Sequence, residues 1–263
     1  MEGATMFKSE YPIFVHKNIL KIEMLEKIRD YPRDFLDIFY QEYSDGVLEG
    51  CEVEVKEHFL LLHPGIILFH QRMYCSKEYQ KIPYSATDCL MYLKIRFFDE
   101  EKEIEGVKYL SEIILSEEGI NQRDEIELCR FHLQKKAKLR SEYQDFADFS
   151  TKYNTINRIY VPYAEKKMST LWPYLLEYFA KKNMKKQKLQ TEDVIFCMNI
   201  LRDKKAVSRD LIITYIEKKT EREVKDFDNY NLYLELLKIL QEGSYEEKKK
   251  EQRVRKPYKI IVD

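Results

Sequence analysis

Two neighbouring stretches set the architecture of this chain: residues 43–55 read Tyr-Ser-Asp-Gly-Val-Leu-Glu-Gly-Cys-Glu-Val-Glu-Val, and residues 59–69 read Phe-Leu-Leu-Leu-His-Pro-Gly-Ile-Ile-Leu-Phe. In the first, apolar and charged residues alternate from Cys51 to Val55, which is the period of a half-buried strand. In the second, two apolar runs flank Pro-Gly, a strong turn signal because proline presets one backbone angle and glycine permits the next. The pair predicts a meander of short antiparallel strands. Its turn and hinge residues are Gly46, Gly50, Pro64 and Gly65.

Further strands follow the meander. Residues 89–98 alternate strictly, with every second side chain from Cys89 to Phe97 apolar, which predicts one long strand. The acidic break at residues 99–101 predicts a hairpin back to a partner strand over 107–115. Residues 126–133 and 159–163 are expected to add two more strands.

A helical segment precedes the meander. Apolar residues recur at three-to-four spacing from Ile19 to Ile28 and again from Phe35 to Tyr43. We expect a helix over 19–45 that Pro32 breaks or kinks, because proline cannot donate the helical hydrogen bond. Gly46 should end it, since glycine readily takes the left-handed conformation found at helix ends.

The pattern becomes helical after residue 164. Four short amphipathic helices are expected, because apolar residues recur at helical spacing behind residues that cap helix starts. The predicted starts are Ser169 or Thr170, Thr191, Ser208, and Asp226 or Asp228. We expect the second helix to turn Val194, Cys197, Met198 and Leu201 inward, and Gly243 to close the fourth. Such helices form a small bundle.

The chain is therefore expected to be α+β in three parts. An antiparallel β-rich N-terminal domain with a leading helical segment, residues 1–165, serves as an assembly domain. A small all-helical domain, residues 166–245, follows, and residues 246–263 form a charged basic tail in an extended conformation. Charge supports the division: residues 1–165 carry 22 Lys+Arg and 30 Asp+Glu, whereas residues 166–263 carry 23 and 16. Opposite net charges suit two units that dock onto each other or onto neighbours.

The composition indicates in which cellular compartment the chain is expected. No run approaches the roughly 18 consecutive apolar residues of a membrane span, and the first residues lack the basic-then-apolar order of a secretory signal. We therefore expect cytoplasmic synthesis and no membrane span. The chain has five cysteines, an odd number without a Cys-x-x-Cys pair, which favours buried thiols in a reducing compartment.

No motif specifies chemistry. Gly-x-x-x-x-Gly-Lys-Ser/Thr, Gly-x-Ser-x-Gly and His-Glu-x-x-His are all missing. His58, His63 and His70 lie within thirteen residues but on different turns and strand faces, so we expect surface or turn histidines rather than metal ligands. His132 is expected to be a satisfied sheet residue. We accordingly predict no enzyme activity, no cofactor and no metal.

Basic residues form two groups near the C-terminus. The first is Lys181, Lys182, Lys185, Lys186 and Lys188; the second is Lys248, Lys249, Lys250, Arg253, Arg255 and Lys256. Such groups can contact phosphate backbones, and the helices starting at Thr191 and Ser208 have a spacing compatible with helix-turn-helix. The second of these helices offers only Arg209, Asp210 and Thr214 for reading bases. We therefore favour contact with a protein partner and keep a nucleic-acid-binding accessory protein as the alternative.

The order of helix, glycine-bounded strand, apolar strand and Pro-Gly strand resembles a module of phage tail and baseplate proteins, over residues 20–140. In that module a Gly-Ile-Ile-x-Gly turn leads to a hairpin that ends in x-Pro-Gly-Ile. The matching residues here are Gly46, Val47, Leu48, Gly50, Val53, Val55, Pro64, Gly65, Ile66 and Ile67. Residues 126–133 look like the strand that returns to the sheet in such proteins. The module often has a glycine after the Pro-Gly strand, where this chain has His70-Gln71-Arg72.

The resemblance implies a non-enzymatic structural component of a phage-tail-like particle, such as a baseplate or a contractile injection system. Its partners would be other protein subunits of the assembly, including copies of itself. A meander sheet suits that role because its edges can receive strands from neighbours.

Overall fold

The computed structural model describes residues 9–17, 19–103, 106–224 and 228–254, with side chains up to residue 242. Its elements are α1 (Ile22–Tyr40), β1 (Gly46–Gly50), β2 (Val53–Val55), β3 (Phe59–Leu62), β4 (Gly65–Phe69), β5 (Arg72–Ser76), β6 (Gln80–Pro83), β7 (Leu90–Phe97), β8 (Glu101–Glu103), β9 (Gly106–Lys108), β10 (Ser111–Ser116), β11 (Glu125–His132), a 3₁₀ turn (Ala147–Ser150), α2 (Pro173–Asn183), α3 (Thr191–Asp203), α4 (Arg209–Thr220) and α5 (Asn229–Val254). The predicted α+β class is confirmed.

The strands form antiparallel sheets with the orders β1-β4-β5, β2-β3-β6 and β10-β7-β11, and β8 pairs with β9 as a separate hairpin. The predicted short antiparallel strands are confirmed, because β3 and β4 coincide with the two apolar runs. The predicted meander is wrong: β3 and β4 lie in different sheets, and β1 pairs with β4 instead of with its neighbour in the chain. The long alternating strand is confirmed as β7, which buries Met91, Leu93, Ile95 and Phe97. Its predicted hairpin partner is β10, reached through the β8–β9 hairpin, and β11 pairs with its other edge.

One predicted strand is wrong and three were missed. Residues 159–163 contribute only isolated bridges, from Tyr163 to Val47 and to Thr170. Pro162 has no N–H to donate, so a continuous ladder cannot run through this segment; its carbonyl instead accepts a hydrogen bond from the Val47 amide at 2.9 Å. Strands β5, β6 and β8 were not predicted because they are short and show little alternation of apolar and polar residues.

The leading helix differs from its prediction at Pro32 and at its C-terminal end. It runs unbroken through Pro32 and ends at Tyr40. A single proline removes one helical hydrogen bond, and the amides on either side continue the ladder. The chain leaves the helix before residue 45 because its backbone pairs with residues 165–167: the Ser44 amide donates to the Glu165 carbonyl at 2.9 Å and the Lys167 amide to the Glu42 carbonyl at 2.8 Å.

The C-terminal helices begin close to their predicted starts. Helix α3 begins at Thr191, α4 follows Ser208, and the Asp228 carboxylate accepts a hydrogen bond from the Asn231 amide at 2.7 Å at the start of α5. Asp226 lies outside the described residues. Thr170 does not cap α2, because its backbone pairs with Tyr163 and its hydroxyl donates to the Val207 carbonyl at 2.6 Å.

Two further helical predictions are wrong. Helix α5 continues past Gly243 to Val254, so residues 246–254 are not extended. One glycine costs a helix only about 1 kcal/mol, and the Glu-, Lys- and Gln-rich sequence behind it favours helix. Helix α3 buries Phe196, Cys197 and Ile200 while Val194 and Met198 are exposed. Its inward face is set by Phe196, which stacks on Tyr215 at 4.1 Å. Residues 255–263 lie outside the described residues.

The buried apolar residues of the sheets and of α2 to α5 form one continuous cluster. Phe69 of β4 stacks on Phe97 of β7 at 4.1 Å, which joins two of the sheets. Leu171 and Trp172 carry the cluster from the sheets toward the helices. The division into domains at residue 165 stays a prediction.

The segment between β11 and α2 is held by an ion pair whose pH dependence can be tested. Arg140 donates to both carboxylate oxygens of Asp148, and the Thr151 hydroxyl and the Gln144 amide donate to the same carboxylate at 2.6 and 2.9 Å. These hydrogen bonds, that from Arg140 above all, hold the pKa of Asp148 well below its ordinary value. Ionised Asp148 therefore stabilises the fold above the ordinary aspartate pKa of about 4, and this contribution is lost as the pH falls toward the lower folded value.

We expect Asp148→Asn to lower the free energy of unfolding by about 2 kcal/mol at pH 7, because hydrogen bonds to a charged group are lost. The difference from the wild type should shrink below about pH 4, because the unfolded wild-type chain takes up a proton at residue 148 there whereas the folded carboxylate stays ionised. Urea unfolding at a series of pH values measures it. Asp203→Asn is the matched control, since its carboxylate pairs with Arg202 on the surface. A gap between wild type and Asp148→Asn that is constant with pH would contradict the expectation.

Candidate docking surface

Helix α1 presents an apolar face to solvent. None of its residues is buried, and its apolar side chains are 38–73% exposed. They are Ile22, Leu25, Ile28, Tyr31, Phe35, Leu36, Ile38 and Phe39. An amphipathic helix of a folded protein normally turns such a face toward a core. A contiguous apolar surface of this kind marks an interaction site.

The polar face of α1 is the one that looks back at the sheets. Its charged residues Arg29, Arg33 and Asp37 line a cleft of about 1040 Å³, whose opposite wall is formed by residues 70–73 and 106–109. The apolar face consequently points away from the body of the chain. Leu36 lies on the cleft side as well. We call the outward apolar residues, Leu25, Ile28, Tyr31, Phe35, Ile38 and Phe39, the α1 stripe.

Residues before α1 extend the exposed surface. Tyr11, Ile13, Phe14 and Val15 are 57–78% exposed. This segment is tied to the helix by an ion pair of 2.5 Å between Glu10 and Lys27. More than half of the large apolar side chains that are exposed among the described residues lie before Tyr40. Apolar exposure is therefore concentrated at this end of the molecule.

The base of α1 is attached to the segment that links the sheets to the helices. Besides the pairing of residues 42 and 44 with 165–167, Val47 donates to the Pro162 carbonyl and accepts from the Ala164 amide, both at 2.9 Å. On the other side, Asp45 accepts a hydrogen bond from the His70 amide at 2.8 Å. These backbone bonds fix the point from which α1 leaves the body.

A buried arginine holds the same linking segment. The Arg158 guanidinium is 1% exposed and donates to the Cys51 carbonyl at 3.0 Å and to the Tyr163 hydroxyl at 2.9 Å. It also forms an ion pair with Glu52, and its guanidinium carbon lies 4.4 Å from the ring centre of Trp172. Burial opposes its charge, but Tyr163 and Glu52 outweigh this and raise its pKa. Arg158 thereby joins β1, the linking segment and the start of α2.

The predicted turn residues lie along the β1–β4 pair. Gly46 and Gly50 begin and end β1, Pro64 precedes β4, and Gly65 begins it. Gly50 and Gly65 face each other in register, which brings these two together. Gly46 lies at the other end of β1, opposite Leu68. A hinge motion at these positions stays a prediction.

The turn after β4 forms without the glycine of the related module. His70 and Gln71 both adopt positive φ, at 46° and 61°, which is the two-residue turn that matches the twist of a hairpin. The Gln71 side chain donates to the Tyr43 carbonyl at 3.3 Å, so the turn is attached to the residues that follow α1.

The first basic group does not form one free face. Lys181 pairs with Glu177 at 2.5 Å, and Lys186 donates to the Ile239 carbonyl at 2.8 Å. Lys182, Lys185 and Lys188 are exposed. In the second group, Lys248, Lys249, Lys250 and Arg253 lie on α5 without described side chains, whereas Arg255 and Lys256 lie outside the described residues. Contact of either group with protein or nucleic acid stays a prediction.

Arg209, at the start of α4, is unsuited to reading bases. It is 8% exposed and donates to the Ser169 carbonyl at 2.6 Å. A residue held in this way at the helix start cannot reach a DNA groove without unfolding its surroundings.

Histidines and cysteines do not converge. His58 lies in the β2–β3 turn, His63 packs edge-on against Tyr79, and His132 lies 3.2 Å from the Asp88 carboxylate. Within residues 9–17, 19–103, 106–224 and 228–254, no three His, Cys, Asp or Glu side chains form a metal ligand set. Cys51, Cys129 and Cys197 are buried as predicted, whereas Cys75 is exposed. Burial raises the pKa of the Cys51 and Cys197 thiols to about 11.

The sequence pattern identified the apolar face of α1 but not its direction, and it missed Arg158. A signal for Arg158 does exist, because it stands alone among Ile156, Ile159 and Val161 in a stretch otherwise fit for a core.

Comparison with known proteins assigns no family. No protein-family model and no curated protein matches the chain. Among solved structures, the chain is similar to one titled "Crystal structure of TssK", with a TM-score of 0.36 and 10% sequence identity over 90% of this chain and 72% of that chain. Neither value is high enough to assign a function. Among the helices described, none is both long and apolar enough to cross a bilayer.

Proposed function

We propose that this chain is a non-enzymatic structural component of a phage-tail-like particle or contractile injection system baseplate, acting in the cytoplasm by docking onto neighbouring subunits. The observation that carries the proposal is the α1 stripe, an apolar helix face that points away from the chain's own core. In this proposal residues 1–165 bind into the assembly, and residues 166–245 engage a further subunit. The baseplate-like order of strands around Gly50 and Gly65 supports the choice of particle.

The stripe fits docking better than catalysis. The cleft behind α1 is open and lined by surface Arg and Asp side chains together with the β4–β5 turn. The buried ionic groups, Arg158 among them, bond to backbone carbonyls and to structural partners. An apolar helical surface exposed before assembly and covered within it is typical of subunits whose partners complete their fold.

A pull-down from native lysate tests the proposal. We expect the tagged wild-type chain to retain tail-particle proteins, and a Leu25→Ser, Ile28→Ser, Phe35→Ser variant to retain at least about tenfold less, because each exposed anchor contributes on the order of 1 kcal/mol or more to an interface. The variant should fold, since α1 has no buried residue.

The matched control is Ile195→Ser with Met198→Ser on α3, two apolar residues that are 58% and 55% exposed. It should retain partners as the wild type does. Recovery of the wild-type chain as a stable monomer without any tail-particle protein would end the proposal, as would equal retention by the stripe variant.

A further inference from the structure

The α1 stripe has the spacing of a helical bundle. The outward apolar residues fall on three positions of a seven-residue repeat: the first position holds Leu25, Pro32 and Phe39, the fourth holds Ile28 and Phe35, and the seventh holds Met24, Tyr31 and Ile38. Ile22 and Leu36 fall on the fifth position, beside Arg29, and lie outside the repeat. Apolar residues on two positions of seven suit a two-stranded coiled coil, whereas three of seven suit a helix in the core of a bundle. The stripe therefore fits several helices packed side by side.

The charges of α1 exclude an anionic membrane and nucleic acid as the binding partner of the stripe. Helix α1 carries three basic residues and five acidic ones, whereas a helix that binds anionic lipid carries mainly Lys and Arg on its polar face. The same balance is unsuited to nucleic acid. Two of its three cations are also engaged within the chain, with Arg29 on Asp30 at 2.6 Å and Lys27 on Glu10 at 2.5 Å. The stripe itself contains no charged residue, so its occupant must be an apolar surface.

This chain itself offers a matching surface. Helices α2, α3 and α4 bury apolar residues within the body, while α1 exposes a face of the right length and pattern to another α1. The six half-exposed large side chains of the stripe amount to roughly 700–800 Å², and a stable interface buries about 800 Å² from each partner. The area of one stripe is thus close to what self-association needs.

We propose that α1 helices from three or more copies of this chain pack their stripes together and form a homo-oligomer. This inference rests on the proposed docking function of the stripe and names its occupant. In a symmetric bundle each stripe meets an equivalent stripe, so a single apolar pattern is sufficient for closure. The fourth-position residues Ile28 and Phe35 would lie in the seam.

The mass of the purified full-length chain in solution tests the proposal. We expect light scattering coupled to size exclusion to give an oligomer of three or more chains, and Ile28→Glu with Phe35→Glu to give a monomer. Two carboxylates in an apolar seam should weaken self-association at least about a hundredfold. Thermal unfolding should be unchanged for the β-rich body, because α1 contributes nothing buried. Ile195→Glu with Met198→Glu on α3 is the charge-matched control and should remain oligomeric.

The outcomes separate this inference from the proposed function. A wild-type chain that stays monomeric at every concentration overturns the inference, as does an oligomer that the seam variant leaves intact. A monomeric wild type whose stripe nonetheless retains tail-particle proteins from lysate leaves the proposed function standing. A stripe-dependent oligomer that retains no such protein upholds the inference and overturns the proposed function. Flotation of the chain with phosphatidylglycerol vesicles through the stripe would overturn the inference in favour of a membrane.

Discussion

Gly50→Ala and Gly65→Ala are each expected to lower the free energy of unfolding by about 3 kcal/mol or more, a large part of the roughly 5–15 kcal/mol by which a folded domain is stable. Gly50 has a φ of +69°, and a Cβ there would lie 2.2 Å from the Pro64 carbonyl oxygen. A Cβ on Gly65 would lie 2.5 Å from the Cys51 amide nitrogen and 2.7 Å from the Glu49 carbonyl oxygen. The Cys51 sulfur also overlaps a Cβ on Gly65, but the other overlapping atoms belong to the backbone, so rotating a side chain does not relieve the clash.

Two other glycines provide matched controls. A Cβ added at Gly106 or Gly119 meets no atom within 4 Å, and alanine there should change the stability by no more than about 1 kcal/mol. Urea unfolding followed by circular dichroism compares the four variants. Equal stability of Gly50→Ala and Gly106→Ala would show that β1 and β4 do not approach each other as described. Gly65→Ala tests the close approach separately, because its effect does not depend on a left-handed φ.

Removing the anion beside Arg158 is the second change with a large expected effect. Glu52→Gln should cost about 2–3 kcal/mol, because it removes the counter-charge of a buried guanidinium while water screens the half-exposed Glu52 side chain. The amide oxygen of the new side chain can still accept the hydrogen bond that the Trp172 indole donates to Glu52 at 3.1 Å, so the loss reports on the charge. Arg158→Met should cost about 2–4 kcal/mol, since the Cys51 and Leu128 carbonyls lose a donor.

The two substitutions should not be additive. Once Arg158 is replaced by methionine, a charge on residue 52 has no buried partner, and Glu52→Gln in that background should cost less than about 1 kcal/mol. Denaturant unfolding of both single variants and the double variant measures the coupling. Additive effects would mean that the ion pair is not formed. Arg202→Met, on an exposed surface pair, serves as the control and should have little effect.

Strand positions were predictable where burial alternates along the chain itself. Strand β7 buries one face along its whole length, and its apolar period of two is visible in any window of the sequence. The end of α1 was not predictable, because it depends on backbone pairing of residue 44 with residue 165, which lies far away in the chain. A periodic pattern describes one element and contains no information about its partners.

The two features that matter most for the candidate docking surface illustrate that limit. The apolar repeat of α1 is the same whether the helix packs on its own sheets or faces outward, so spacing alone could not give its direction. Arg158 can be buried because it forms an ion pair with Glu52, which lies 106 positions earlier in the chain. An arginine followed by Ile-Tyr-Val indicates an unusual position, but identifying its partner requires the fold.

The outward direction of α1 has a consequence for how a cell must supply this protein. Until a partner covers this helix, each newly made copy exposes an apolar helix face that binds other apolar surfaces. A chain made in surplus over its neighbours would therefore be prone to clumping and would engage chaperones. In the proposed assembly, balanced production with the other subunits is then a requirement set by a single helix of nineteen residues.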